Sequence, residues 1–239
     1  MTQQQYALIT GASSGIGKAT ALAFAEAGIH LLLVGRSEER LAAVAEQTRS
    51  IGVDTQVFAL DLLQLDTVRE RIESIARSVP QLDIVVNNAG MGYTGLLNET
   101  PLQDWQRVID LNLTSVFQVV QGVLPVLRSQ KSGTIINVAS IAAHQTFPNW
   151  GAYCVSKFGL LALTKTLAAE ERSHGIRVVA ISPGSVNTEL WDTETVDADF
   201  DRTAMLTPEE VARSIRYAAQ MPSSAVIEEL VLMPNAGTF

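Results

Sequence analysis

Cysteine, histidine and clustered positive charge are what this chain has least of. One cysteine, Cys154, and three histidines occur in 239 residues. A single thiol cannot close an internal disulfide, and no Cys/His group has zinc spacing, so redox and metal-site classes are set aside. Lys and Arg number 17 against 25 Asp and Glu, a net charge of −8. No basic cluster stands out that could track a phosphate backbone, which argues against a nucleic-acid partner. No apolar run approaches the ~18 residues of a membrane helix, and no basic start leads into a hydrophobic signal segment. A cytoplasmic protein without a membrane partner is therefore expected. Repeats, low-complexity segments and linkers are also missing.

What the chain does have is apolar content, 47% of its residues. That suffices for one sizeable core, so residues 1–239 are read as a single domain. Apolar runs recur at Tyr6–Thr10, Ile29–Val34, Thr55–Leu60, Leu82–Asn87, Thr134–Val138, Arg177–Ile181 and Glu229–Met233. Most are continuously apolar instead of alternating, the pattern of strands covered on both faces of a parallel sheet. Helical stretches lie between them, at about Ile16–Ala27, Glu38–Ser50, Leu65–Arg77, Pro101–Arg128, Ala152–Ser173 and Pro208–Ala219. The alternation predicts a doubly wound, Rossmann-type α/β fold of about seven parallel strands. Thr100-Pro101 with Gln103, and Thr207-Pro208 with Glu210, predict capped helix starts.

The first strand runs into Thr10-Gly11-Ala12-Ser13-Ser14-Gly15-Ile16-Gly17, and a helix leaves it. Glycines there allow a tight turn and let an anion approach the main chain, while the helix start offers free N–H groups and a positive dipole end. Strand, glycine turn and helix predict a pyrophosphate cradle formed by Gly11, Ser13, Ser14, Gly15, Ile16 and Gly17. The spacing is G-x-x-x-G-x-G instead of the commoner G-x-G-x-x-G.

An acid that holds the ribose hydroxyl of NAD usually stands ~20 residues on. Here the second strand ends Val34-Gly35-Arg36-Ser37. The guanidinium of Arg36 suits a 2′-phosphate, so NADP(H) is expected. In the alternative, Glu38 grips a ribose and the preference is for NAD(H). Asp61 and Leu62 follow the third strand, where they can meet an adenine ring, with Asp61 as a helix cap the competing reading. Asn87-Asn88-Ala89-Gly90 closes the fourth strand, so that Asn88, Ala89 and Gly90 can pin the nucleotide and neighbouring strands, or simply form a turn.

Tyr153 and Lys157 are one helical turn apart on one face. A phenol titrates near 10, and a nearby ammonium favours the phenolate. Ser140 ends the preceding strand, where it can hold a carbonyl oxygen. Asn112 lies inside an apolar helical stretch, where a buried amide needs partners and often disturbs the backbone ladder. Pro125 is expected to kink or end that helix. His30, His144 and His174 are read as structural or surface residues, and Cys154 faces away from Tyr153.

Gly11-x-x-x-Gly15-x-Gly17, Asn87-Asn88-Ala89-Gly90, Asn112, Ser140, Tyr153-x-x-x-Lys157 and Pro183-Gly184 together resemble the short-chain dehydrogenase/reductase family over nearly the whole chain. The resemblance implies that Tyr153 is the general acid in carbonyl reduction and the base in reverse. It implies that Lys157 lowers the tyrosine pKa and binds the nicotinamide ribose, that Ser140 binds the substrate oxygen, and that Asn112 holds a water leading to solvent. Pro183, Gly184, Val186 and Thr188 would contact the cofactor. Phe147 and Trp150 would line the substrate pocket, beneath a flap at about 186–206.

Glu189, Asp192, Glu194, Asp197, Asp199 and Asp201 crowd that flap with no basic residue among them. A negative lid disfavours acidic partners. The chain resembles 3-oxoacyl-carrier-protein reductases, yet its ending, Glu228-Glu229-Leu230-Val231-Leu232-Met233-Pro234, is closer to carbonyl- and sepiapterin-reductase-like members. The expected substrate is a small ketone or aldehyde, with carrier-protein reduction and non-catalytic NADP(H) sensing as alternatives. The family implies a dimer or tetramer through 101–128 and 152–173, where Val116, Val119, Val120, Val123, Leu160, Leu161 and Leu163 exceed what one core-facing stripe requires.

Overall fold

A computed structural model of the chain describes residues 4–198 and 200–237; Asp199 of the acidic run lies outside them. Seven strands form one sheet, β1 (Tyr6–Thr10), β2 (His30–Gly35), β3 (Thr55–Ala59), β4 (Ile84–Asn87), β5 (Gly133–Val138), β6 (Ile176–Pro183) and β7 (Glu229–Leu232). All pairs are parallel in the order β3-β2-β1-β4-β5-β6-β7. The connections reverse direction between β1 and β4, which opens a crevice at the carboxyl ends of those strands.

The helices are α1 (Gly15–Glu26), α2 (Glu38–Ile51), α3 (Leu65–Ala76), α4 (Leu102–Ile109), α5 (Ser115–Gln130), α6 (Gly151–Glu171) and α7 (Pro208–Ala219). Side chains alternate along each strand, so β2 sends Leu31 and Leu33 to one face and Leu32 and Val34 to the other, all buried. On the first face they meet Phe24 of α1, Leu41 of α2 and Ile215 of α7. On the second they meet Ile72 of α3, Val123 of α5 and Leu160 of α6. Two-sided burial is why the strands read as unbroken apolar runs.

Several expectations are corrected. Thr100 does not cap α4: Pro101, in extended conformation, is the boundary residue, and the Thr100 hydroxyl turns back to the Leu96 carbonyl. The capping box at Thr207 and Glu210 does form. The stretch predicted as one helix is broken in pattern by a π turn, Asp110–Thr114, between α4 and α5, while α5 runs through Pro125 to Gln130. Taken together, Leu102–Gln130 is long and apolar enough to cross a membrane, contrary to the sequence expectation. Its apolar residues Val116, Val119, Val120, Val123 and Leu127 are nevertheless buried in the core facing the sheet and α3. The same burial removes the argument that these valines, with Leu160 and Leu161, are spare apolar surface.

Candidate active site

The glycine turn is shaped by contact with the end of β4. Gly11 and Gly15 have φ of +65° and +49°, a region that favours glycine. A Cβ on Gly11 would lie 2.8 Å from the Ala89 Cα. One on Gly17 would lie 2.2 Å from the Gly11 carbonyl oxygen, so the first turn of α1 packs directly on the loop. The Asn88 side chain donates to the carbonyls of Thr10 (3.1 Å) and Gly11 (3.2 Å). The Thr10 hydroxyl in turn accepts from the Asn88 (3.0 Å) and Ala89 (3.2 Å) backbone N–H groups. The sequence suggested that this amide could pin the nucleotide and neighbouring strands; in the fold it joins the ends of β1 and β4.

A cavity of about 690 Å³ runs from this turn along the carboxyl ends of the strands. Gly11, Ser13, Ser14, Gly15 and Ile16 line one end, with Arg36, Asp61, Leu62, Asn88, Ala89 and Gly90 beside them. Ser140, Tyr153, Lys157, Pro183, Gly184, Val186 and Thr188 continue the wall. Gly17 and Asn112 are not among the residues that line it. Gly17 is spent on packing against Gly11, and Asn112 stands behind Gly90, where an added Cβ would meet its Oδ1 at 3.2 Å.

Arg36 and Arg40 line the cavity, whereas Glu38 and Glu39 do not. Arg40, in the first turn of α2, was not singled out from the sequence. Its guanidinium contacts both carboxylate oxygens of Glu189 at 2.6 Å, spanning the cavity mouth from α2 to the segment after β6. Asp61 is not the cap of α3, which starts at Leu65; its carboxylate accepts from the Leu63 N–H at 3.0 Å in a local turn.

At the other end, α6 places Tyr153 and Lys157 one turn apart, with the Lys157 Nζ 5.7 Å from the Tyr153 ring centroid. Nζ donates a 2.9 Å hydrogen bond to the Val138 carbonyl and is otherwise in a buried setting. Burial pulls the lysine down to about 8, because an ammonium loses its hydration there. Burial is also the largest influence on the Tyr153 phenol and raises it, while hydrogen bonding with Ser140 draws it back down. In the chain alone Lys157 is not among the causes of that shift, and desolvation leads them. Ser140 caps the short turn Ile141–Ala143, its hydroxyl accepting from the Ala142 N–H at 3.1 Å.

Asn112 sits in the π turn with its amide engaged. Its Oδ1 accepts from the Met91 N–H (2.8 Å), and its Nδ2 donates to the Met91 carbonyl (2.9 Å) and the Ser156 hydroxyl (3.0 Å). Both donor hydrogens of the amide are thus bound to protein. It ties the loop after Gly90 to α6, the helix that carries Tyr153.

The segment after β6 is less acidic in effect than its sequence suggested. Glu189 pairs with Arg40, and Asp192 pairs with Arg202 at 2.6 Å. The Asp201 carboxylate is held below its usual range by hydrogen bonds from Thr203. The segment is tied to the loop after β4 by Thr94 N–H to the Thr195 carbonyl (2.9 Å) and Thr195 Oγ1 to the Gly92 carbonyl (2.8 Å). Outside this region, His30 accepts from the Asp54 N–H (2.8 Å) and His144 Nε2 lies 2.8 Å from Glu229, in keeping with structural roles.

Comparison with known proteins agrees with this architecture. A family model described as short chain dehydrogenase matches residues 5–199. Among curated relatives, a 3-oxoacyl-[acyl-carrier-protein] reductase of Synechocystis sp. is 38% identical over 229 residues, 93% of this chain and 92% of that protein. A sepiapterin reductase of Chlorobaculum tepidum is 33% identical over 237 residues, 96% of each. In structure, an alcohol dehydrogenase of the archaeon Thermococcus sibiricus complexed with 5-hydroxy-NADP superposes with TM-score 0.89 at 29% identity, covering 98% of this chain and 97% of that one. A metagenomic short-chain oxidoreductase in complex with NADP gives 0.84 at 29% identity over 97% of each chain. With the parallel sheet, the glycine turn and the family match in agreement, this chain belongs to the short-chain dehydrogenase family and is an oxidoreductase of that kind.

Proposed function

We propose that the protein reduces a small ketone or aldehyde to an alcohol with NADPH, reversibly. The observation that carries this reading is that Tyr153, Ser140 and Lys157 line the same cavity as the glycine turn. The residues present fit NADP(H): two positively φ-angled glycines open the turn at the start of α1, and Arg36 and Arg40, not Glu38, line the adenosine side. Two structural neighbours complexed with NADP or its 5-hydroxy derivative support the same choice. When bound, the nicotinamide would supply or accept the hydride.

The protein's own part is proton handling and orientation. A phenol raised by burial is protonated at neutral pH and can donate its proton to the carbonyl oxygen as charge develops there. The Ser140 hydroxyl donates a second hydrogen bond to that oxygen, which polarises the carbonyl. Lys157, anchored to Val138, stands beside the phenol and stabilises the phenolate left behind. Asn112 acts as a positioning residue for the loop after Gly90.

Reduction of a 3-oxoacyl group on a carrier protein is the second reading, favoured by the 38% identical relative of that name. Glu194, which lines the cavity with no ion pair among the described residues, opposes an acidic carrier. NADPH absorbance followed against a panel of small carbonyl compounds and an acyl carrier-protein substrate tests both. Faster, salt-dependent turnover of the carrier substrate would replace the first reading; binding of NADPH with no turnover of any carbonyl would leave only a sensing role. We also propose a homo-oligomer built on α5 and α6, supported by Phe117, Val155 and Phe158, each more than 40% exposed. A monomeric mass in light scattering at micromolar concentration would refute it.

A further inference from the structure

The chain holds three tryptophans among 239 residues, and two of them meet beside the phenol of Tyr153. The Trp150 ring lies 5.5 Å from the Tyr153 ring, Trp191 lies 5.7 Å from Trp150, and Phe200 lies 5.4 Å from Trp191. Every step is edge to face, with interplanar angles of 70°, 69° and 85°. An unbroken aromatic row therefore leads from the phenol to the segment after β6, and all four rings line the cavity.

The row is held in place by groups that do not depend on any ligand. Trp191 donates its indole N–H to the Val186 carbonyl at 2.7 Å, which fixes its plane and leaves its ring with no polar demand. The turn that carries it, Glu189–Asp192, is clamped by Arg202, which donates to Asn187 Oδ1 (2.8 Å), the Thr188 carbonyl (2.9 Å) and Asp192 Oδ1 (2.6 Å). Such a wall is preorganised, and preorganised walls spend less on ordering when a ligand arrives. Edge-to-face spacing presents both the negative faces and the positive edges of neighbouring rings, a surface that another aromatic ring extends in the same pattern. A saturated ring of the same size gains only the burial of its apolar area there. Glu194 lines the same wall with no ion pair among the described residues, which disfavours a carboxylated substrate.

Resting on the carbonyl-reductase reading above, we propose that the site selects uncharged aryl ketones and aldehydes, with Trp191 as the specificity-determining residue. The aryl ring continues the row of Trp150 and Trp191 while its carbonyl reaches Ser140 and Tyr153. Conjugation with the ring makes an aryl carbonyl less electrophilic than its saturated counterpart. A faster aryl substrate thus reports recognition by the wall and not intrinsic reactivity.

The test compares acetophenone with cyclohexyl methyl ketone, which have the same carbon skeleton. Two quantities are measured: kcat/KM with NADPH, and the affinity of each ketone for the NADP complex by quenching of tryptophan fluorescence. The expected aryl preference is about three- to tenfold in both. It falls to about one in Trp191→Leu and returns in Trp191→Phe, with affinities there read by calorimetry. Equal values for the two ketones in the unaltered protein, or an undiminished preference in Trp191→Leu, overturn the proposal. If no member of the carbonyl panel is turned over, the reductase reading fails, and the ratio of affinities for the two ketones still decides whether the wall selects aryl compounds.

Discussion

The Nζ of Lys157 donates a 2.9 Å hydrogen bond to the carbonyl oxygen of Val138, joining the helix that carries Tyr153 to the last residue of the strand before Ser140. This contact fixes where a charge can sit at the centre of the site, and burying that charge is costly.

The cost should be visible as a pH dependence of stability. Lys157 is lowered to about 8 by burial from an ordinary value of 10.5, so between those values the unfolded chain binds more protons than the folded one. Stability contributed by this group therefore rises with pH across that window, and the full penalty is felt below pH 8. Lys157→Met removes the titration. Its stability relative to the unaltered protein, from urea unfolding, is expected to decline by about 2 kcal/mol between pH 8 and 10. A constant difference across that range would contradict the assignment.

Arg36 is exposed and lines the cavity with Arg40, while Glu38 and Glu39 do not. Charge-assisted hydrogen bonds to a phosphate are worth about 1.5–3 kcal/mol. Arg36→Ala is expected to weaken NADPH by roughly 10- to 100-fold and to leave NADH within a few-fold, as measured by calorimetric titration. Equal losses for the two nucleotides would remove the case for NADP(H).

Gly17 stands where a side chain has no room, with an added Cβ 2.2 Å from the Gly11 carbonyl oxygen and 2.6 Å from the Asn88 amide nitrogen. Neither neighbour can withdraw without opening the loop that Asn88 holds closed. Gly17→Ala should lower stability by about 1–3 kcal/mol, the usual range for overpacking. It should also weaken nucleotide binding although Gly17 does not line the cavity. Unchanged unfolding and unchanged binding would show that the loop tolerates widening.

Much of the fold was legible because the sheet is covered on both faces: β1 and α7 fall at the predicted residues, and the other predicted ends shift by at most two, the π turn between α4 and α5 being the break that was not predicted. Tyr153 and Lys157 could be read because a single helical turn relates them. The misreadings came from contacts made at a distance. Arg40 and Arg202 neutralise Glu189 and Asp192, but only Arg202 is near them in sequence. The valines of α5 exceeded one stripe because the helix packs against α3 as well as sharing the core with the strands. Asn112 was expected to disturb its helix, and the π turn is that disturbance, yet its partner Met91 lies 21 residues away. The row from Trp150 to Phe200 depends on how a loop closes, which no local spacing encodes.

The central claim is that the Tyr153 phenol delivers the proton in carbonyl reduction. Tyr153→Phe keeps the ring contact with Trp150 and removes one oxygen, so the most direct measurement is single-turnover NADPH oxidation with that variant beside its NADPH dissociation constant. The account predicts a loss of rate on the order of 10²- to 10⁴-fold with nucleotide affinity within a few-fold of the unaltered protein. A variant that still reduces carbonyl compounds within about tenfold of the original rate would contradict it.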